Sequence, residues 1–349
     1  MLKYLRLLFY PISVLYAIIL RVRNWLFDRK ILKSAEFNFP IICVGNLATG
    51  GTGKTPMTEY LIRLLRKNYK TATLSRGYKR KTKGYAIANE TTTAVDIGDE
   101  PMQFHLKFDD VYVAVGEERI VAVPQILQDR PDTEVIILDD AFQHRSINAG
   151  LNILLTDHGN LYTDDRLLPA GNLRDIVQSA DRADIIIVTK CPEGLSEMES
   201  RKITRELNPK PDQQVFYTTI NHGRLYHLFN GELLKEPINN VILVCGIANP
   251  VKLIDYVKSK ADNVEILSFP DHHIFTSVDL EKLKKTYQTF SKGRQTIVLT
   301  TEKDAVRLQK FKAQLQEIPI YSLPMEHYFL FEGAVHFDQQ VVDYIKSFK

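Results

Sequence analysis

VGNLATGGTGKTP, Val44 to Pro56, is the stretch that decides the fold. An apolar run, Ile41 to Gly45, leads into it, and beyond it Met57, Leu61, Leu64 and Leu65 fall on one helical face. The stretch therefore joins a strand to a helix that starts near Lys54. In the pattern G-x-x-x-x-G-K-[ST], backbone N–H groups wrap a β-phosphate, the lysine neutralises the β/γ oxygens, and the hydroxyl ligates Mg²⁺. Gly53, Lys54 and Thr55 supply the terminal part intact. Ala48 stands where the first glycine belongs, and Gly50 and Gly51 provide the backbone freedom one turn later. Ala48, Thr49, Gly50, Gly51, Thr52, Gly53, Lys54 and Thr55 are thus the nucleotide-binding candidates. An ordinary glycine-rich strand-to-helix turn is the competing reading.

The loop opens an alternation of short apolar runs and amphipathic helices, the pattern of a parallel sheet covered on both faces. Thr71–Ser75, Val111–Val115, Val135–Asp139, Leu151–Thr156 and Asp184–Thr189 continue it. A polar helix and a proline-rich turn follow from about Lys190, then a hairpin-like stretch, VFYTTI and RLYHLFNGE. The alternation resumes with Val241–Gly246, Val264–Phe269 and Thr296–Thr301. The expected architecture is α/β: a P-loop NTPase-like parallel sheet over 37–214, a hairpin-like linker over 215–232 and a smaller α/β domain over 233–349.

With 349 residues, 44% of them hydrophobic, the chain is long enough for two domains. A net charge of +3 gives no ground for nucleic-acid binding, and no obligate protein partner is evident. Cys43, Cys191 and Cys245 are odd in number and far apart, so they read as core packing in a reducing compartment. Residues 1–36 differ from the rest: seven Lys or Arg flank or follow Leu7–Leu20, a run without charge. Such a helix is about 21 Å long, short of the ~30 Å hydrocarbon core. RVRNW after it is no cleavage site. The segment reads as an amphipathic membrane-interface helix on an anionic surface, with a buried core helix as the alternative.

A nucleotide loop needs an acidic residue at a neighbouring strand end to hold the metal shell. VIILDDAFQH offers Asp139 and Asp140, which with Thr55 form the metal candidates. Guanine readers carry Asn/Thr-Lys-x-Asp after a late strand. Here TKCP puts Pro192 in place of that aspartate, so ATP is favoured over GTP. DIGDEPMQF sets Asp99 and Glu100 in a Gly- and Pro-flanked loop, where a carboxylate would accept the proton of an attacking hydroxyl or merely be solvated. FPDHHIF groups Asp271, His272 and His273, a catalytic, structural or metal-binding cluster. Arg76, Arg119 and Arg174 lie in turns and are candidate phosphate contacts. Lys303 and Asp304 in TEKDAVR read equally as a domain-packing ion pair or a site.

Taken in order, VGNLATGGTGKTP, LSRGYKR, GDEP, ILDDAFQHR, LLPAGNLRD, FPDHHIF and TEKDAVR resemble the motifs of the tetraacyldisaccharide 4'-kinase family of lipid A biosynthesis. They run from Val44 to Arg307, and the basic, apolar N-terminus is similar to that family's membrane-facing helix. The resemblance implies transfer of the ATP γ-phosphate to the 4'-hydroxyl of an acylated glucosamine disaccharide 1-phosphate, at the cytoplasmic face of the inner membrane. It implies Asp99 as catalytic carboxylate with His272 its partner, Lys54 and Thr55 on phosphates and Mg²⁺, and Asp139 and Asp140 around the metal. Asp140 and Arg174 join the catalytic set, and Arg76, Glu100, Arg119, His144, Asp175 and His273 are further active-site candidates. The chain departs from the family with Lys79 for a common glycine, and with Asp175-Ile176 where Glu-Pro is usual. A membrane-bound regulatory ATPase would need a signature lysine at Thr49. A GTP-driven metal carrier is weakened by Pro192 and by the lack of a Cys/His cluster.

Overall fold

Runs of Val, Ile and Leu without polar alternation bury both faces, as inner strands of a helix-covered sheet must. The computed structural model, which describes residues 6, 8–235, 237–247, 249–271, 273–292 and 294–348, forms its main sheets from them. The strands are β1 (Ile41–Asn46), β2 (Thr71–Ser75), β3 (Ala86–Ile87), β4 (Tyr112–Val115), β5 (Val135–Asp139), β6 (Leu151–Asp157) and β7 (Ile185–Thr189). They continue with β8 (Gln214–His222), β9 (Tyr226–His227), β10 (Asn240–Cys245), β11 (Asn263–Ser268), β12 (Thr296–Thr301), β13 (Ile320–Leu323) and β14 (Met325–Phe329). A nine-stranded sheet runs β14-β8-β7-β6-β1-β5-β2-β4-β3. Only its edge strands β14 and β3 pair antiparallel. A five-stranded sheet runs β9-β13-β12-β10-β11, with β9 antiparallel at its edge. The fold is thus α/β, with mixed rather than wholly parallel sheets.

The helices used below are α1 (Tyr10–Asp28), α2 (Lys54–Leu65), α3 (Asp99–Lys107), α4 (Arg119–Asp129), α5 (Glu197–Leu207), α6 (Val251–Lys260), α7 (Ser277–Phe290), α8 (Glu302–Leu308) and α9 (Gly333–Lys346). Met57, Leu61 and Leu65 of α2, Phe104 of α3 and Phe337 and Val341 of α9 share one core. Val123 and Ile126 of α4 and Leu207 of α5 share another, with Cys43 and Leu74 of the sheet. Both faces of the large sheet are therefore covered. The small sheet has α7 and α8 in one core and α6 in the other.

Two expectations change. Residues 215–222 are no arm of a hairpin linker: β8 pairs with β7 and β14, because Phe216, Tyr217, Thr218 and Thr219 are buried and suit an inner strand. The chain also leaves the small sheet before its end. β14 and α9 return to the large one, where Phe329 and Phe337 pack on Tyr60 and Phe216.

Helix α1 is inside out. Its polar Ser13 and Asn24 are buried, while Ile12, Leu15, Ile18, Ile19, Val22 and Trp25 are exposed. The Ser13 hydroxyl donates to the Leu167 carbonyl at 3.0 Å and accepts from the Ala170 N–H at 3.0 Å. Tyr16 donates to the Arg174 carbonyl at 3.0 Å. Polar anchors thus fix the helix and leave its apolar face unpartnered. Among the described residues no helix is long and apolar enough to cross a membrane.

Candidate active site

β1 ends at Asn46, one residue beyond the expected run, and α2 begins at Lys54, as the sequence predicts. Gly53 caps α2 in the left-handed region, φ 86°, and no side chain caps the helix. The first N–H groups of α2 thus lack a side-chain acceptor, the arrangement that suits an anion. Gly50 has φ 110°, and no atom lies within 4 Å of where a Cβ on Gly50 or Gly51 would stand. Ala48 makes an isolated β-bridge with Leu173, and the Thr49 N–H donates to the Asn172 carbonyl at 2.7 Å. An extended bridge has no need of glycine, which explains the alanine. Thr52 is tied inward: its hydroxyl accepts from Asn46 Nδ2 at 2.9 Å, and its carbonyl from Thr189 Oγ1 at 2.9 Å.

Charged groups from the end of β5 and from the segment between β6 and β7 meet this loop. Arg174 forks onto Asp140, with Nη2–Oδ1 at 2.8 Å and Nη1–Oδ2 at 3.2 Å, and also donates to Asn46 Oδ1. Lys54 Nζ donates to Asn46 Oδ1 at 3.2 Å and lies 3.7 Å from Asp140 Oδ1. Burial pulls Lys54 below the ordinary lysine value, with Asp140 opposing. Burial also works against an ionised Asp140, but Arg174 and Lys54 outweigh it and hold that carboxyl below its usual range. Asp139 is pushed up to about 6, by burial first and then by the Asp140 charge. Thr58 Oγ1 donates to it at 3.0 Å. Thr55 follows Lys54 as the second residue of α2. Among the described residues no three His, Cys, Asp or Glu form a metal cluster.

A basic group flanks the carboxylates. Arg119 is 1% exposed; Nη1 donates to the Gly116 carbonyl at 2.6 Å, and Nε and Nη2 have no partner among the described residues. Burial pushes this guanidinium down to about 10, with Asp139 opposing. Burial, then Arg119 and the exposed Arg76, push His144 down to about 4, so its imidazole is neutral at neutral pH. Buried unpartnered donors beside a second arginine favour an anionic ligand.

Asp99 and Glu100 do not lie in a loop. They are the first two residues of α3, whose third, Pro101, lacks an N–H that the first turn does not need. Arg307 of α8 donates to Asp99 Oδ2 through Nε at 3.1 Å and Nη2 at 2.5 Å. Its Nη1 donates to Asp304 at 3.3 Å, and Lys303 lies 3.4 Å from Glu100. Lys303 and Arg307 thus pack the two sheets together, while buried Asp304 accepts from the Gly246 N–H at 2.8 Å and Thr301 Oγ1 at 2.8 Å. Glu100 also contributes to raising Asp139, which puts the start of α3 within electrostatic reach of the loop cluster.

Two further candidates have partners within the protein. Asp175 is fully buried, and its oxygens accept from Asn24 at 3.1 Å, from Arg182 at 3.3 Å and from the Ile176 N–H at 2.9 Å. It anchors α1, with both oxygens engaged inside the protein. His273 Nε2 lies 3.0 Å from Asp279 Oδ2, and its ring stacks on Phe269 at 4.7 Å, beside the cap of α7. His272 lies outside the described residues.

The sequence model of the tetraacyldisaccharide-1-P 4'-kinase family matches residues 5–345. The chain belongs to that family. It is 44% identical to the tetraacyldisaccharide 4'-kinase of Bacteroides thetaiotaomicron over 97% of this chain and 93% of that one. It is 45% identical to the same-named protein of Flavobacterium johnsoniae, over 98% of each. The crystal structure of the "apo" form of LpxK from Aquifex aeolicus in complex with ATP superposes with a TM-score of 0.75 at 30% identity, over 98% of this chain and 99% of that one. Asn46, Thr58, Arg307 and His327 are not singled out by the sequence. Asn46 and Arg307 stand inside quoted motifs, but only their partners reveal what they do.

Proposed function

We propose that Asp99 is the carboxylate that accepts the acceptor's proton, and that the 46–55 loop is a P-loop holding the phosphates of ATP. As a member of its family the chain is an ATP-dependent kinase of the tetraacyldisaccharide lipid A precursor. In the step, the 4'-hydroxyl oxygen attacks the γ-phosphorus, its proton passes to Asp99, and the bond to the bridging oxygen of ADP breaks. The N–H groups of Gly51, Gly53, Lys54 and Thr55 donate to the phosphate oxygens, and Lys54 and Arg174 neutralise the charge that develops on them. Arg76 and Arg119, with neutral His144 beside them, serve an anionic group of nucleotide or substrate. His272 is the expected partner of Asp99.

Thr55, Asp139 and Asp140 would hold Mg²⁺. Two carboxylates and a hydroxyl fit this hard cation, which keeps waters and nucleotide oxygens for the rest of its shell. The raised Asp139 beside Asp140 is a pair that a cation relieves. When bound, the ion would supply neutralisation of the phosphate charge.

The exposed apolar face of α1, followed by Arg29, Lys30 and Lys33, fits an anionic bilayer surface. We place the enzyme there, peripheral, at the cytoplasmic face of the inner membrane, where the acyl chains of the acceptor stay in lipid.

The observation that carries this reading is the uncapped start of α2 with Lys54 beside Asp140, within electrostatic reach of Glu100 at the start of α3. ADP release, measured with and without an acylated disaccharide monophosphate, tests it. Stimulation by the lipid is expected; a basal rate unchanged by the lipid contradicts it.

A further inference from the structure

The last strand of the large sheet sets a histidine against the glycine-rich loop. His327 of β14 is 4% exposed, and both ring nitrogens are engaged. Nε2 lies 2.9 Å from the Gly53 carbonyl oxygen, and Nδ1 lies 2.9 Å from Thr218 Oγ1 on β8. A carbonyl only accepts, so Nε2 carries the proton and donates it; Nδ1 then accepts from the Thr218 hydroxyl. Burial pushes His327 down to about 4, which keeps the ring neutral, as this arrangement requires. A Cβ on Gly53 would stand 2.8 Å from Ile220 Cδ1 and 2.9 Å from His327 Nε2, so β8 and β14 close directly on this peptide.

The contact has a directional consequence. The Gly53–Lys54 peptide is trans, and in a planar trans peptide C=O and N–H point opposite ways. Holding the Gly53 carbonyl on His327 turns the Lys54 N–H away from β14 and keeps it for an anion. The same carbonyl accepts from the Met57 N–H at 3.1 Å, so the first turn of α2 and the ring share one acceptor.

β8 and β14 are also the strands by which the chain leaves the large sheet for the small one and returns. β14 is tied to both neighbours: the Met325 N–H donates to Glu302 Oε2 of α8 at 3.3 Å, and Glu326 pairs with Arg63 of α2 at 3.2 Å. We propose that His327 is a positioning residue for phosphoryl transfer, which holds the phosphate loop ready for ATP and couples it to the two-stranded ribbon carrying the small sheet. The proposal rests on the reading of residues 46–55 as the phosphate loop.

Steady-state kinetics of the full chain, with ATP varied at fixed acceptor and the reverse, test it with His327→Leu, His327→Gln and Thr218→Val. Leucine removes the donor; KM for ATP should rise about five- to tenfold, the effect of one lost hydrogen bond, with KM for the acceptor unchanged. Glutamine retains an N–H donor at similar reach and should restore most of the loss. Thr218→Val frees the ring's tautomer and should shift KM for ATP in the same direction, less far. An unchanged KM for ATP in His327→Leu, or equal impairment by leucine and glutamine, overturns the proposal. Should His327→Leu fail to fold, Thr218→Val decides: an ATP KM within about twofold of the parent's overturns it. Lys54→Met separates the two claims. If that variant keeps its ATP KM, the phosphate-loop reading fails; if it loses ATP while the His327 variants do not, only the coupling fails.

Discussion

Replacing Arg174 with methionine removes the fork on Asp140 and keeps much of the aliphatic stem. Two bonds at 2.8 and 3.2 Å are lost, together with the contact to Asn46. Asp140 then faces Asp139 with Lys54, 3.7 Å away, against it. A hydrogen bond to a charged group contributes about 1.5–3 kcal/mol. The side chains of Arg174 and Asp140 are 27% and 38% exposed, so solvent holds the effect to the low end of that range. A loss of about 1.5 kcal/mol raises KM for ATP about tenfold. On the role proposed for Arg174, loss of the charge it offers to the phosphoryl group adds a fall of about a hundredfold in kcat. Arg174→Lys keeps the charge without the fork and should lie between the two. Initial rates at saturating acceptor with ATP varied give both constants, and a thermal melt shows whether the fold survives. A methionine variant within about threefold of the parent in kcat and KM, or a lysine variant equal to arginine, refutes the reasoning.

Further outcomes follow from other contacts. Arg307→Ala leaves fully buried Asp304 without its guanidinium and should cost about 3–5 kcal/mol in urea unfolding; a loss within experimental error would mean that Arg307 does not fasten the sheets. Glu302, raised to about 7 by burial and then by Glu59, binds a proton in the folded chain that the unfolded chain lacks between about pH 4.5 and 7. Its ionised form thus costs stability as pH rises through that window, so Glu302→Gln should raise Tm relative to the parent more at about pH 8 than at about pH 5.5; a pH-independent difference contradicts this. Leu15→Glu with Ile19→Glu puts two charges on the exposed face of α1 and should cut sedimentation with anionic vesicles about tenfold or more; unchanged sedimentation excludes that face as the membrane contact.

How much the sequence reveals depends on how local the cause is. Thr71–Ser75, Val135–Asp139 and Thr296–Thr301 are legible with their bounds, because buried strands leave no polar alternation. Asp99 is legible as a residue but not in its setting. Gly98 and Pro101 look like loop punctuation, yet proline is harmless in a first helical turn. Arg307 is quoted in its motif, while its partner Asp99 lies 208 positions away. Thr218 and His327 are 109 positions apart, and a pairing over that distance leaves no periodic trace. His273 is the opposite case, since its partner Asp279 lies only six positions away, in the helix cap beside it.

The central claim is that Asp99 acts on the acceptor's hydroxyl and not on ATP. Asp99→Asn keeps the side chain's shape beside Arg307 and removes its basicity. The measurement is single-turnover phosphate transfer by this variant, alongside its Kd for a non-hydrolysable ATP analogue. The account predicts a rate lower by about a hundred- to ten-thousandfold with Kd within about threefold of the parent. A variant that keeps its transfer rate, or loses nucleotide binding along with it, contradicts the account.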